Sequence, residues 1–216
     1  MKKRLLAWVL SFALALSLLP VGVLAAGSTV ASGTCGDNLT WVLDSEGTFT
    51  ISGKGKMDDY PTAEGLIPWT QYKERIYSVI IQEGVTTVGD SAFWECKNLT
   101  SVKLSSTITS IGESAFDACT RLKNIDVSNT KITEIGAWAF SHSGLTAFSI
   151  PEGVTSIESS AFWGCENLKS IVIPDSITEI SYYDAFYACT ALKDIYFGGD
   201  EAKWNQIYQG NDLGNV

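Results

Sequence analysis

The chain has 216 residues, a formal net charge of −9 and a single histidine. Apolar residues make up 45% and charged residues 18%, a balance that supports a packed core and argues against disorder. The acidic excess excludes sequence-independent nucleic-acid binding, which runs on phosphate neutralisation; one histidine excludes any site needing two imidazoles, and five cysteines cannot all pair within the chain.

Lys2, Lys3 and Arg4 precede an apolar run from Leu5 to Leu19, then Pro20 and the small residues Val23, Ala25, Ala26 and Gly27. This layout predicts a secretory signal peptide over residues 1–25, with Val23 and Ala25 at the −3 and −1 positions of the cleavage site and Leu24 and Ala26 as the next choice. The apolar run is shorter than the ~20 residues a bilayer core takes. No second run of spanning length follows, so no integral membrane segment is expected after signal removal. Removal takes three of the 15 Lys and Arg and no acid, moving the net charge from −9 to −12.

Residues 26–75 read as a linker and an N-terminal β-hairpin cap. Leu39–Leu43 and Thr48–Ser52 alternate in polarity around Asp44-Ser45-Glu46-Gly47, a hairpin signal with a short loop. Pro68-Trp69 then leads into Gln71–Arg75, a short helix or turn.

Residues 76–198 repeat with a period of about 23. Ile76, Leu99, Leu122, Leu145, Leu168 and Leu192 each open the pattern Leu-x-x-Φ-x-Φ, where Φ is apolar. The apolar pairs run from Val79/Ile81 to Ile195/Phe197 and predict short strands with one buried face. A second apolar pair follows each of the first five strands, from Val85/Val88 to Ile177/Ile180, and then an Ala-Phe dipeptide. Three residues after Phe stands Cys96, Cys119, Cys165 or Cys189; in the third unit Ser143 takes the place, and the step from Phe to Leu is one residue shorter. A single unit cannot bury enough apolar surface to offset its ordering entropy, but stacked units share a continuous core. The expectation is a solenoid with a parallel ladder of six strands, ~4.8 Å apart, and a Phe ring filling each coil.

Residues 199–216 read as a C-terminal cap. Asp200 suits a helix N-cap, Glu201 suits the first turn, and Trp204 and Ile207 share a face, which predicts a short helix over Asp200–Tyr208 with Trp204 plugging the last coil.

Motifs for catalysis or metal binding are scarce. His142 lies beside Ser141 and Ser143, but no G-x-S-x-G, H-E-x-x-H or P-loop occurs, and the bland reading is an exposed loop residue. Gly53-Lys54-Gly55-Lys56 follows a hairpin strand, not the strand of a phosphate-binding loop. Glu113, Glu134, Glu158 and Glu179 recur in successive units; carboxylate pairs serve glycoside hydrolysis, and solvated solenoid faces produce such rows as well. No EF-hand or RTX loop supports calcium binding. The repeat cysteines match no zinc spacing. They read as buried thiols, with Cys96–Cys119 and Cys165–Cys189 conceivable as disulfides; Cys35 sits in the cap without an evident partner. Asn38-Leu39-Thr40 and Asn98-Leu99-Thr100 match the glycosylation sequon. No metal and no cofactor is expected.

The unit I-T-x-I-G-x-x-A-F-x-x-C-x-x-L-x-x-Φ-x-Φ-P, seen in ITSIGESAFDACTRLKNIDV and VTSIESSAFWGCENLKSIVIP, resembles the BspA-type (treponemal-type) leucine-rich repeat of secreted bacterial cell-surface proteins. The resemblance implies a leucine-rich-repeat solenoid, a capping segment before the repeats, and a non-catalytic binding role outside the cell. The general repeat L-x-x-L-x-L-x-x-N/C-x-L is met only in its first half, because Gly84, Thr107, Thr130, Gly153 and Ser176 replace Asn or Cys. Proteins of this resemblance often continue past such a C-terminal segment with further strands or domains.

Two surfaces stand out as candidate binding faces. The outward strand positions include Lys103, Asp126, Ser149, Val172 and Tyr196. An aromatic face is predicted from the residue after the repeat Phe: Trp94, Trp163 and Tyr187, with Trp138, Tyr182 and Tyr183 nearby. The sequence therefore predicts a secreted binding or adhesion module with an extracellular protein or glycan partner. The alternative is a targeting or carbohydrate-binding module from a larger surface protein or enzyme.

Overall fold

The structure is a computed structural model that describes residues 27–62, 66–181 and 184–207. The signal segment over residues 1–25, Tyr182, Tyr183 and the end of the C-terminal segment beyond residue 207, which includes Tyr208, lie outside the described residues.

Three strands begin the fold: β1 (Thr29–Thr34), β2 (Leu39–Asp44) and β3 (Thr48–Gly53). The hairpin of β2 and β3 is antiparallel with Leu43 opposite Phe49, as alternation predicts. Buried Asp44 holds its turn, accepting the amides of Glu46 and Thr48 at 2.9 Å each through Oδ1. β1 pairs antiparallel with β2 and went unread in the sequence, because its segment TVASGT carries little apolar alternation. A 3₁₀ helix spans Thr70–Arg75.

The solenoid follows. Its first side carries β4 (Ser78–Ile81), β6 (Ser101–Lys103), β9 (Ala147–Ser149), β11 (Ser170–Ile173) and β13 (Asp194–Phe197). Its second side carries β5 (Thr87–Val88), β7 (Ser110–Ile111), β8 (Glu134–Ile135), β10 (Ser156–Ile157) and β12 (Glu179–Ile180). The hairpin is joined to the ladder directly: β3 pairs parallel with β4, Phe49 beside Val79 and Ile51 beside Ile81. The cap thus supplies the first rung of the stack.

The third side is made by the Ala-Phe turns. In the first coil Ser91, Phe93 and Glu95 donate their amides to the carbonyls of Glu113, Ala115 and Asp117 one coil on, at 2.8, 2.9 and 2.8 Å. The outer two of these residues have positive φ, 53° and 57°, which helps aim the peptides along the solenoid axis. Inside, Phe93, Phe116, Phe140, Phe162 and Phe186 form a file with centroid spacings of 5.5, 5.7, 5.6 and 5.5 Å and interplanar angles of 7–14°. Every ring is buried, and each stabilises the fold by about 1.5–3 kcal/mol from burial. Trp69 closes the file at the N-terminal end, 6.1 Å from Phe93, with its Nε1 donating to the Ala92 carbonyl at 2.7 Å.

At the other end α1 (Glu201–Ile207) begins where Asp200 caps it, the Lys203 amide reaching Asp200 Oδ1 at 2.8 Å. Trp204 rests on Phe197 at 5.2 Å, and Ile207 is buried.

The expected continuous ladder of six strands is corrected by the structure. The first side divides into a sheet of order β1-β2-β3-β4-β6 and another of order β13-β11-β9. The third coil contributes only an isolated bridge between Lys103 and Asp126. The second side divides at the same junction, β5-β7-β8 from β10-β12. Only the Phe turns run through it unbroken, with Trp138, Phe140 and His142 bonded to Ser159, Ala161 and Trp163 at 3.0, 2.9 and 2.7 Å.

Candidate functional site

The predicted strand-face residues form one outward row. Ser149 pairs with Val172, and Val172 pairs with Tyr196, across adjacent strands. Lys103 bridges Asp126 on the other side of the break. All five are exposed, and Val172 and Tyr196 stand out at 41% and 58% because they are large and apolar.

A groove of about 870 Å³ opens where the ladder breaks. Asp126, Ser149 and Val172 line it, and Ile125, Val127, Phe148 and Ile150 form its apolar floor. The third coil explains the break. The step from Val127 to Ile132 is five residues, where it is four at Ile81–Val85, Leu104–Ile108, Ile150–Val154 and Ile173–Ile177. The extra residue is folded into a turn closed by Thr130, whose Oγ1 donates to the Val127 carbonyl at 2.6 Å. The Phe140–Leu145 step is one residue shorter than its counterparts, so the period of 23 survives while the coil's register slips. Phe148 also takes a place held by Val or Ile in the other repeat strands and wedges against Phe140 and Phe162, at 5.1 and 5.2 Å.

The predicted aromatic face separates into two parts. Trp163 lies 6.1 Å from Tyr187 and 4.7 Å from Trp138. Trp94 is remote from them, since Asp117 and Ser141 hold the equivalent positions of the intervening coils. Lys73 covers Trp94, with Nζ 4.7 Å from the ring and 2.8 Å from a Glu95 carboxylate oxygen. That ion pair holds the Glu95 carboxyl below its ordinary range, the Lys73 hydrogen bond being the main cause.

His142 does not sit in a catalytic triad. Ser141 Oγ, at 2.9 Å, and Asp117 Oδ1, at 3.6 Å, both address Nδ1, and among the described residues no serine hydroxyl bonds Nε2 as a triad requires. Burial raises the Asp117 carboxyl above its ordinary range, against the lowering effect of its contacts to Ser141 and His142. Glu113, Glu134 and Glu158 line an open acidic groove of about 490 Å³ with Asp59 and Asp90, where Asp90 Oδ1 accepts the Glu113 amide at 2.7 Å. Among the described residues no group of three or more His, Cys, Asp or Glu is placed to hold a metal ion.

The five cysteines are free and buried. The repeat cysteines serve the backbone. Cys119, Cys165 and Cys189 donate their thiols to the carbonyls of Phe93, Phe140 and Phe162, one coil back, at 3.2, 3.0 and 3.0 Å. Sequence reasoning read them as small apolar fillers and missed this role. Burial pushes the Cys35 and Cys96 thiols up to about 12.

The stacked coils, parallel ladders and shared Phe file define a leucine-rich-repeat solenoid, a class that presents extended surfaces to protein partners. The family description BspA type Leucine rich repeat region matches six copies over residues 71–199, and the chain belongs to that family. A leucine-rich repeat protein from Eubacterium ventriosum ATCC 27560 is 35% identical with a TM-score of 0.67, over 77% of this chain and 44% of that one. This chain therefore spans less than half of that relative's length. The T. pallidum Leucine Rich Repeat protein, 19% identical with a TM-score of 0.54 over 82% of this chain and 96% of that one, shares the fold. No curated protein matches the chain. Its repeats are of the type carried by that bacterial relative, and repeats of this type suggest a protein-interaction module. Among the described residues no helix is long and apolar enough to cross a membrane.

Proposed function

We propose that the chain is a secreted or cell-surface binding module whose strand face engages an extracellular protein. The observation that carries this reading is the exposed pair Val172 and Tyr196, adjacent on β11 and β13 and continuous with the groove at Ser149 and Asp126. Large exposed apolar residues beside polar ones are the usual make-up of a recognition patch. The signal layout of residues 1–25 supports export, and its removal is part of the proposal. The role is adhesion or partner recruitment without catalysis.

A second reading is carried by Trp163, Tyr187 and Trp138, whose half-buried and exposed rings adjoin on another side. Stacking rings suit sugar faces. On this reading the chain is a carbohydrate-binding or targeting module of a larger surface protein.

Capture of surface proteins and a glycan array, each probed with residues 26–216, test the two. Tyr196→Ala is expected to weaken a protein partner by about 30-fold, the loss of one aromatic anchor of roughly 2 kcal/mol. Trp163→Ala is expected to leave that partner untouched. A protein partner held equally well by Tyr196→Ala and Val172→Ser overturns the strand-face reading; glycan binding lost in Trp163→Ala establishes the second.

A further inference from the structure

Both strand ladders stop between the third and fourth coils, and the break leaves one strand edge open. Ile150 donates its amide to the Val172 carbonyl at 2.9 Å, so that residue directs its main chain towards β11. Alternate residues of a strand point their main-chain groups to opposite edges. The N–H and C=O groups of Ala147 and Ser149 therefore face the third coil. The Thr146 amide still reaches the Lys123 carbonyl at 3.1 Å. Beyond it no main-chain hydrogen bond joins residues 124–128 to residues 147–151, all of which are described. The two segments splay from that point around the groove of about 870 Å³, within the roughly 300–1,000 Å³ span of ligand pockets.

We propose that this groove is a site of β-strand addition: an extended peptide segment of the partner protein lies in it and hydrogen-bonds the open edge of β9. The proposal rests on the reading of the strand face as a protein-binding surface, and names the form in which the partner is recognised. The walls offer unpaired main-chain donors and acceptors, which an extended polypeptide complements and a glycan does not repeat at strand spacing. The floor of Ile125, Val127, Phe148 and Ile150 takes apolar side chains at every second residue. Asp126 and Glu152 stand in the lining against a single cation, Lys131, so a basic residue between the apolar ones is favoured. Asp126 is held ionised by hydrogen bonds from Ser128, whose amide and Oγ lie 2.9 and 2.7 Å from Oδ1.

The fold itself contains a segment of this chemistry. Residues 99–106 (LTSVKLSS) run through β6, with Val102 buried, Leu104 half-buried and Lys103 exposed, and the main chain of Lys103 already forms a parallel β-bridge with that of Asp126. A synthetic, fluorophore-labelled peptide of that sequence is the probe. With purified protein it is expected to bind saturably, and N-methylation at alternate residues is expected to weaken it at least tenfold. Ser149→Pro, which removes the edge donor, is expected to do the same, whereas Ser149→Ala, which keeps it, is expected to bind as the parent does. Hydrogen exchange gives a readout independent of the Pro variant's folding. In the free protein the amides of Ala147 and Ser149 are expected to exchange faster than those of Ile171 and Val172, and the peptide is expected to slow them. Slow exchange at Ala147 and Ser149 in the free protein overturns the proposal, as does binding indifferent to N-methylation or protection elsewhere. Protection that appears on raising protein concentration alone, with a dimer mass, assigns the edge to a second copy and overturns it too. A protein partner still lost in Tyr196→Ala while the peptide fails sinks strand addition alone; loss of both sinks the strand-face reading with it.

Discussion

Ala118 and Ala188 adopt φ of 57° and 59°, a left-handed conformation that costs an L-residue about 1–2 kcal/mol. Their counterpart one coil before Ala188 is Gly164, at 66°. Glycine in an unfolded chain carries an entropic cost of roughly 0.5–1 kcal/mol relative to alanine. Ala118→Gly is therefore expected to stabilise the protein by about 0.5–1 kcal/mol in urea unfolding, the reverse of the usual Ala-to-Gly effect. A loss of stability refutes the reading of strain at this turn. An alanine at Gly164 would bring its Cβ to 2.8 Å from the His142 ring, which has to shift to admit it. Asp117 supplies a second test at this scale. Burial raises its carboxyl in the folded state, so the folded form holds the proton more tightly than the unfolded one. Its contribution to stability is complete at low pH and is lost as pH rises through the raised carboxylate range. Asp117→Asn should therefore raise Tm relative to the parent more at pH 7 than at pH 3. An equal effect at both pH values, or the reverse order, contradicts the assigned direction.

At the scale of elements, the Phe file and the turns around it act as one unit. Phe116 is fully buried between Phe93 and Phe140, at 5.5 and 5.7 Å. Phe116→Ala opens a cavity that coils hydrogen-bonded on both sides cannot close. A loss of about 3–5 kcal/mol on chemical denaturation is expected, and a cost below about 1.5 kcal/mol would mean the stack can collapse inward. The inward set was legible from periodicity, because each position faces the interior in every coil for the same reason, with Leu104, Ile195 and Phe197 half-buried where the stack thins. The hairpin and the capped C-terminal helix were legible as well, through turn and capping chemistry that acts within a few residues. The ladder break was not. One residue is gained before Ile132 and one lost before Leu145, so the 23-residue period conceals a slip that step-by-step spacing reveals. β1 was missed for a different reason, since its partner strand, not its own pattern, fixes it.

Over the whole molecule, the cap and the coils enclose all five thiols. Each repeat thiol from Cys119 onward is engaged with a Phe carbonyl one coil back. An alkylating reagent is expected to leave the native protein unmodified and to label five cysteines after unfolding. Rapid labelling of the native protein, or fewer than five labels after unfolding without reductant, contradicts enclosed free thiols. The exposed strand row, the aromatic pair and the groove all lie outside this closed interior. Their place on three coils explains why sequence reasoning named Asp126, Ser149 and Val172 without foreseeing that they share one groove.

The sequence by itself determined the solenoid, its 23-residue period, the buried Phe file and the class of protein, because stacking repeats the same short-range requirement at every coil. The tertiary structure decided what depends on one coil meeting the next: the split of both ladders, the separation of Trp94 from Trp163 and Tyr187, the thiols bonded to Phe carbonyls and the open edge of β9. Contacts between coils are set by register across some 23 residues, and a compensated slip of one residue changes that register while leaving the period intact.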